Sequence, residues 1–147
     1  MGTRSTYRVI ETFKNDKGRK VQTPFFSLYV QYDGYPDGHP LDTAHWLSGG
    51  RVVNGIPYME KEELIFNGAG CLAAQLVAKF KDGPGGAYIQ PLKVRGNSWE
   101  NYLYDIVVDF DTKDIKFIAY ENHDKPKKFF EGTPLEFYEK YKDGGGD

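Results

Sequence analysis

The sequence predicts a single α+β domain with a mostly antiparallel sheet of five to six strands. Three observations predict it. A chain of 147 residues suits one domain, several segments are rich in β-branched and aromatic residues, and residues 66–81 are apolar at the helical period. Strand patterns lie on both sides of this helix, so we expect it to be buried across the sheet with a C-terminal helix packed on it.

The elements follow from hydrophobic period and turn signals. The predicted strands cover residues 3–13, 23–32, 87–94, 101–109, 115–121 and 127–131. The predicted helices cover residues 41–47 and 66–81, with a helical turn at 60–63 and a last helix starting at Thr133. A connector spans residues 51–57. We expect residues 1–143 to form the domain and 144–147 to form a disordered tail.

The central helix has the clearest pattern. Leu72, Leu76 and Phe80 recur at every fourth position and make a broad apolar face. Gly68 and Gly70 stand at its start, where the first helical N–H groups have no partner within the helix. Two interpretations stay open. Asn67 caps these donors with its own side chain, or the glycines leave them open to a phosphate or carboxylate.

The last helix has a complete start signal. Thr133 is a good N-cap, Pro134 suits the first helical position, and Glu136 follows at the third. This spacing predicts a capping box, in which the two side chains satisfy backbone donors reciprocally.

Composition excludes several classes of protein. A net charge of −2 with 27% charged residues gives no broad basic surface for duplex nucleic acid. No apolar run is long enough to span a membrane. The single cysteine, Cys71, rules out a disulfide within the chain and is either a small buried side chain or a thiol nucleophile. The 16% of aromatic residues suits a folded domain with a ligand-facing or partner-facing surface.

A loop over residues 32–40 carries the first group of candidate site residues. Asp33, Asp37 and His39 lie within seven positions, so they are candidates for metal binding or for acid–base catalysis. The alternative is an ordinary turn, because both aspartates precede glycine. A metal site normally needs three or more ligands, and no further His or Cys cluster supports one.

Two other stretches suit an anionic ligand that contains a ring. Thr3, Arg4 and Ser5 offer two hydroxyls and a guanidinium; the alternative is a plain strand start. Gly85 and Gly86 leave backbone N–H groups accessible beside Tyr88. The predicted ligand-binding residues are Thr3, Arg4, Ser5, Tyr32, Asp33, Tyr35, His39, Asn67, Gly68, Gly70, Gly85, Gly86 and Tyr88.

Several of these stretches also resemble a family of small uncharacterised proteins from tailed bacteriophages and prophages. The matching motifs are the Gly2–Ser5 start, the Tyr32–His39 loop, Val53–Ile56, Asn67–Ala78 and Gly85–Tyr88. The resemblance covers most of the chain up to Pro91, and the 130–134 stretch more loosely. It implies a viral origin and action in the host bacterial cytoplasm, and it implies no mechanism.

Three hypotheses follow. In the first, the chain is a non-catalytic, counter-defence protein that sequesters a small phosphorylated or nucleotide ligand, such as a host immune signal. In the second, it inhibits a host bacterial protein by docking on it. In the third, Asp33, Asp37 and His39 make it a small metal-dependent nucleotide hydrolase. The first predicts no catalytic residue, no metal and no cofactor, and a homo-oligomer is compatible with it.

Overall fold

Three helices pack against one face of a mixed six-stranded sheet in the computed structural model, beside a small two-stranded sheet. This is the α+β architecture that the sequence predicts. The structure describes residues 3–55, 63–92, 100–122 and 125–144. Within these ranges, none of the helices combines the length and the apolar character needed to cross a membrane.

The element bounds agree with the predicted order. The strands are β1 Ser5–Lys14, β2 Lys20–Val30, β3 Arg51–Val53, β4 Ile65–Asn67, β5 Ala87–Gln90, β6 Tyr102–Asp109, β7 Ile115–Glu121 and β8 Lys127–Gly132. The helices are α1 His39–Ser48, α2 Gly68–Phe80 and α3 Pro134–Tyr141. The first two residues of the predicted helix over 66–81 therefore belong to strand β4 in the structure.

The large sheet has the strand order β5-β2-β1-β6-β7-β8. Four of its five pairings are antiparallel, as predicted, and β1 pairs with β6 in parallel over eight residues. The parallel pairing joins residues that are 97 positions apart, such as Arg8 and Asp105. No local pattern indicates such a pair.

The core lies between the sheet and the helices. Alternate residues of the central strands face it, including Tyr7 and Val9 of β1 and Tyr104 and Ile106 of β6, all with no exposed surface. Leu72 and Leu76 of α2 are buried against them, which confirms that this helix is the buried one. Their burial stabilises the fold by roughly 1.5–3 kcal/mol per side chain.

Helix α3 begins with the predicted capping box. The Thr133 hydroxyl accepts from the Glu136 N–H at 3.1 Å, and the Glu136 carboxylate accepts from the Thr133 N–H at 2.7 Å. Phe137 and Tyr141 then turn into the core, where Phe137 packs 4.6 Å from the ring of Phe117. The helix is thereby fixed to β7 and β8.

Some expectations differ from the structure, and others fall outside the described residues. The predicted strand over 87–94 ends at Gln90, because Pro91 has no N–H to donate to a neighbouring strand. The connector contains β3, which pairs in parallel with β4. Gly144 donates to the carbonyl of Tyr141 at 3.0 Å. Residues 1–2, 56–62, 93–99, 123–124 and 145–147 lie outside the described ranges, including most of the predicted turn at 60–63 and the rest of the tail.

Candidate functional site

One row of residues crosses the large sheet near the start of β1. The strand register aligns, from edge to edge, Ala87, Val30, Ser5, Tyr102, Glu121 and Lys127. We call this line the Ser5 row. Neighbouring members lie about 4.8 Å apart, the usual spacing between strands, and they share the helix-covered face of the sheet.

Most of the predicted site residues lie at this end of the sheet. They are Thr3, Arg4, Ser5, Tyr32, Asp33, Tyr35, His39, Gly85, Gly86 and Tyr88. The other three, Asn67, Gly68 and Gly70, stand at the start of α2.

Helix α2 separates these two groups. Its last residue, Phe80, packs 5.1 Å from the His39 ring and 5.2 Å from the Tyr7 ring, so the C-terminal end of the helix lies at the Ser5 row. Thirteen helical residues span about 18 Å, which places Gly68 and Gly70 far from the tyrosines. The glycine turn and the tyrosines therefore do not enclose one common hollow.

The start of α2 differs from the first sequence interpretation, in which Asn67 caps the helix. The Asn67 side chain makes no cap hydrogen bond; its Oδ1 accepts from the N–H of Gly55 at 2.8 Å, which ties the helix start to the segment after β3. A Cβ on Gly70 would lie 3.3 Å from the ring of Phe25. The Cys71 thiol is partly buried and donates to Oε1 of Gln75 at 3.1 Å within the helix.

His39 joins α1 to β1 through both ring nitrogens. Its Nδ1 lies 2.7 Å from the Tyr7 hydroxyl, and its Nε2 lies 3.3 Å from the Ser5 hydroxyl. Burial lowers the pKa of His39 to about 4, although the Tyr32 carbonyl and the Asp42 carboxylate favour the charged ring. Burial also raises the pKa of Tyr7 well above its usual value, so this hydroxyl stays protonated.

This network resembles a nucleophile–base pair in composition, but its position suits a structural role. Ser5 has no exposed surface, so a substrate cannot reach its hydroxyl. Asp37 is exposed, and Asp33 contributes its carbonyl, which accepts from the His39 N–H at 2.9 Å. In the described ranges, no group of three or more His, Cys, Asp or Glu side chains is placed to hold a metal ion.

The loop between β2 and α1 is held rigidly above the start of β1. The Gly34 N–H donates to the carbonyl of Thr3 at 3.0 Å, and the buried Tyr104 hydroxyl donates to the Gly34 carbonyl at 2.7 Å. A Cβ on Gly38 would lie 2.2 Å from the Asp33 carbonyl oxygen, so only glycine fits there. Tyr35, at the tip, is half exposed on a fixed support.

A cavity of about 390 Å³ opens beneath Tyr35. It is lined by Thr3, Tyr35, Asn101, Tyr102, Glu121 and Asn122. The first two residues belong to the predicted set. The other four come from the start of β6 and the end of β7, which the parallel β1–β6 pairing and the β6–β7 hairpin bring beside Thr3. The volume is in the range of small-molecule sites.

The lining of the cavity combines aromatic and polar side chains with one carboxylate. Burial raises the pKa of Tyr102, and the neighbouring Glu121, Tyr35 and Asp37 raise it further, so acidic and phenolic groups converge near the Tyr102 hydroxyl. The lining has one carboxylate, two amides and two aromatic rings, and no Lys or Arg among its described residues. Such a lining suits a flat ring with N–H donors better than a bare phosphate.

Arg4 supports this cavity through its backbone. Its N–H donates to Oδ1 of Asn101 at 3.1 Å, and its carbonyl accepts from the N–H of Asn101 at 2.7 Å. The Nε atom of Arg4 is buried and has no hydrogen-bond partner within the described part of the chain. Its observed role is thus to join β1 to β6.

The Gly85–Gly86 turn makes a separate cluster at the β5 edge. A Cβ on Gly86 would lie 3.3 Å from the Tyr32 ring, and Gly85 lies beside the Tyr88 hydroxyl. Lys81 donates to the carbonyls of Gly85 and Ala87 at 3.1 and 2.8 Å, and its ammonium lies 5.4 Å from the centre of the Tyr88 ring. Lys81 was not among the predicted site residues, because its bonds to Gly85 and Ala87 form only when the turn after α2 folds back.

Comparisons with models of protein families, with curated proteins and with solved structures find no match. The functional assignment therefore depends on the site itself. Sequence reasoning missed Asn101, Tyr102, Glu121 and Asn122. The signal that could have found them is a set of polar residues at the ends of two predicted strands. This set can be recognised as part of one site only when the strand order is known.

Proposed function

We propose that this chain is a non-catalytic binding protein that captures a small nucleotide-like ligand at the cavity beneath Tyr35. The single observation that carries the proposal is the cavity of about 390 Å³ in which Tyr35 and Tyr102 accompany two asparagines and a glutamate. Tyrosine rings stack on nucleobases, and amide and carboxylate groups bond base edges.

The chemistry of the lining indicates how such a ligand is oriented. The Glu121 carboxylate accepts hydrogen bonds from N–H donors such as those of purine bases, and the described lining has no Lys or Arg to hold a phosphate. The base then occupies the cavity while the phosphate stays outside it. The rigid loop supports Tyr35 before binding, which lowers the entropy cost of capture.

The resemblance to phage proteins gives the biological setting of the proposal. A virus-encoded binder in the host bacterial cytoplasm has a ready target in nucleotide signals of host immunity, including cyclic ones. Sequestration needs affinity for the ligand without turnover of it.

Native mass spectrometry of freshly purified protein tests the proposal first. We expect a retained small molecule that is released intact on denaturation; a chemically altered product would indicate an enzyme instead. Calorimetry against nucleosides, mononucleotides and cyclic nucleotides then identifies the ligand class. Absence of both a retained mass and any binding across the panel would contradict the proposal.

A matched pair of variants locates the site. Tyr35→Ala removes a half-exposed ring at the cavity, and binding should weaken by about 1–3 kcal/mol, the contribution of one stacked base. Tyr88→Ala removes a similarly exposed ring at the β5 edge and should leave affinity unchanged. Equal affinities for the two variants would place the ligand elsewhere.

A second function, inhibition of a host protein by docking, is favoured by one separate observation. Four exposed large apolar side chains lie on or next to β2 and β5, namely Phe25, Tyr32, Tyr88 and Ile89. The Ala87 carbonyl already accepts a hydrogen bond from Lys81, so it is less available for pairing with a strand of another protein. A partner would therefore contact these side chains more than the backbone of the strand edge. A pull-down from bacterial lysate should yield a stoichiometric partner that Ile89→Lys loses and Tyr35→Ala keeps.

A further inference from the structure

Three neighbouring strands present a ring, a carboxylate and a cation in line. Tyr102 of β6, Glu121 of β7 and Lys127 of β8 are consecutive members of the Ser5 row. Paired residues on adjacent strands point to the same face, so all three side chains share one face of the sheet, and two of them, Tyr102 and Glu121, line the cavity. Lys127 thus lies one strand, about 4.8 Å, beyond the carboxylate that lines the cavity.

The next residue, Lys128, has a different environment. It pairs with Tyr120 and so points to the opposite face of the sheet. There its ammonium lies 2.6 Å from the Glu131 carboxylate, which also bonds Lys116 at 3.1 Å. Lys127 is exposed and forms no ion pair within the described part of the chain. Of these two adjacent lysines, only Lys127 is free to bind an anion.

Among its described residues, the cavity itself offers no cation to bind a phosphate. Its described lining includes no Lys or Arg side chain, so a nucleotide that places its base there finds no cation for its phosphate in that lining. The Ser5 row continues past Glu121 directly to Lys127. A flexible lysine side chain at the rim can reach a phosphate held there.

We propose that Lys127 binds the phosphate of a nucleotide whose base occupies the cavity beneath Tyr35. This inference rests on the proposed function and assigns the ligand's charged group to a named residue. It also predicts that the protein distinguishes nucleotides from the corresponding nucleosides. Because the contact is solvent-exposed, its contribution falls as salt rises.

Calorimetry with adenosine, guanosine and their 5′-monophosphates tests the inference. In the wild-type protein at low salt, we expect the better monophosphate to bind up to about five-fold more tightly than its nucleoside, the effect of one exposed ion pair. Lys127→Gln should abolish that advantage and keep nucleoside affinity. Lys127→Arg should preserve the advantage, as should Lys128→Gln, the matched control on the opposite face.

The possible outcomes separate the two proposals. Equal binding of nucleoside and monophosphate by the wild-type protein overturns the role of Lys127 and leaves the base site intact. A phosphate advantage that persists in Lys127→Gln overturns it as well. If the wild-type protein binds neither the nucleosides nor their monophosphates, the proposed base site is contradicted, and the role of Lys127 is contradicted with it. Thermal unfolding of each variant checks that the fold is retained.

Discussion

The hydroxyl of Tyr7 lies 2.7 Å from Nδ1 of His39, and this partly buried contact fixes the start of α1 to β1. It also positions the loop that carries Tyr35, because the backbone N–H of His39 donates to the carbonyl of Asp33 in that loop. The geometry of the cavity therefore depends on a residue that does not line it.

The uncharged state of His39 makes the fold sensitive to acid. Its pKa falls to about 4 on folding, from about 6.5 in an unfolded chain. Between these values the unfolded chain binds more protons, so stability is full above pH 6.5 and falls as the pH drops toward 4. The loss from this group is about 3 kcal/mol.

Urea unfolding at several pH values between 4 and 7 measures this loss. His39→Asn removes the titrating ring, so its unfolding free energy should vary less over the same interval than that of the wild-type protein. Tyr7 does not titrate there, because a tyrosine has an ordinary pKa of about 10 and burial raises the pKa of Tyr7 further. Identical slopes for variant and wild-type protein would contradict the prediction.

The Tyr104 hydroxyl stabilises the loop through its bond to Gly34. Tyr104→Phe keeps the ring but leaves the buried Gly34 carbonyl without this donor, so we expect a loss of about 1–3 kcal/mol in unfolding free energy. Chemical denaturation measures it. Tyr88→Phe, which removes a hydroxyl from a half-exposed ring, should change stability by less than about 0.5 kcal/mol.

Gly68 tests whether the start of α2 belongs to the site. Its φ is +83°, so Gly68→Ala should cost about 1–2 kcal/mol of stability although no atom obstructs the new methyl group. Ligand affinity measured by calorimetry should not change, because α2 holds this residue about 18 Å from the Ser5 row. Gly70→Ala, inside the helix and without a positive φ, should lose less stability.

The capping box of α3 gives a prediction about local stability. Thr133→Ala removes the acceptor of the Glu136 N–H, and the unfolding free energy should fall by about 1 kcal/mol. Glu139→Gln on the exposed side of the same helix removes only a solvent-exposed pair with Lys142, so its cost should be smaller. Thermal or urea unfolding of the two variants compares these costs, and equal losses would count against the cap.

Local signals predicted local structure well. Thr133, Pro134 and Glu136 predicted a capping box, and the structure contains both of its hydrogen bonds. The prediction was possible because all the bonded groups lie within three residues of one another. Asn67 shows the limit of such signals. It does precede α2, but its side chain bonds Gly55, which a different strand brings near.

The candidate site could be predicted only in part. Thr3 and Tyr35 were recognised from residue type, whereas Tyr102 and Glu121 were not. These last two gain their role because β1 and β6 pair in parallel across almost a hundred intervening residues. Periodicity indicates that a strand exists and which residues face the core, but it carries no information about the neighbouring strand.

The sequence by itself determined the α+β class, the buried central helix and the capped last helix, because hydrophobic period and cap chemistry act over a few residues. Only the tertiary structure decided that Thr3, Tyr102 and Glu121 meet at one end of the sheet while Gly68 stands at the far end of α2. Strand order and helix direction are properties of the whole packed chain, since they arise from burying one common core.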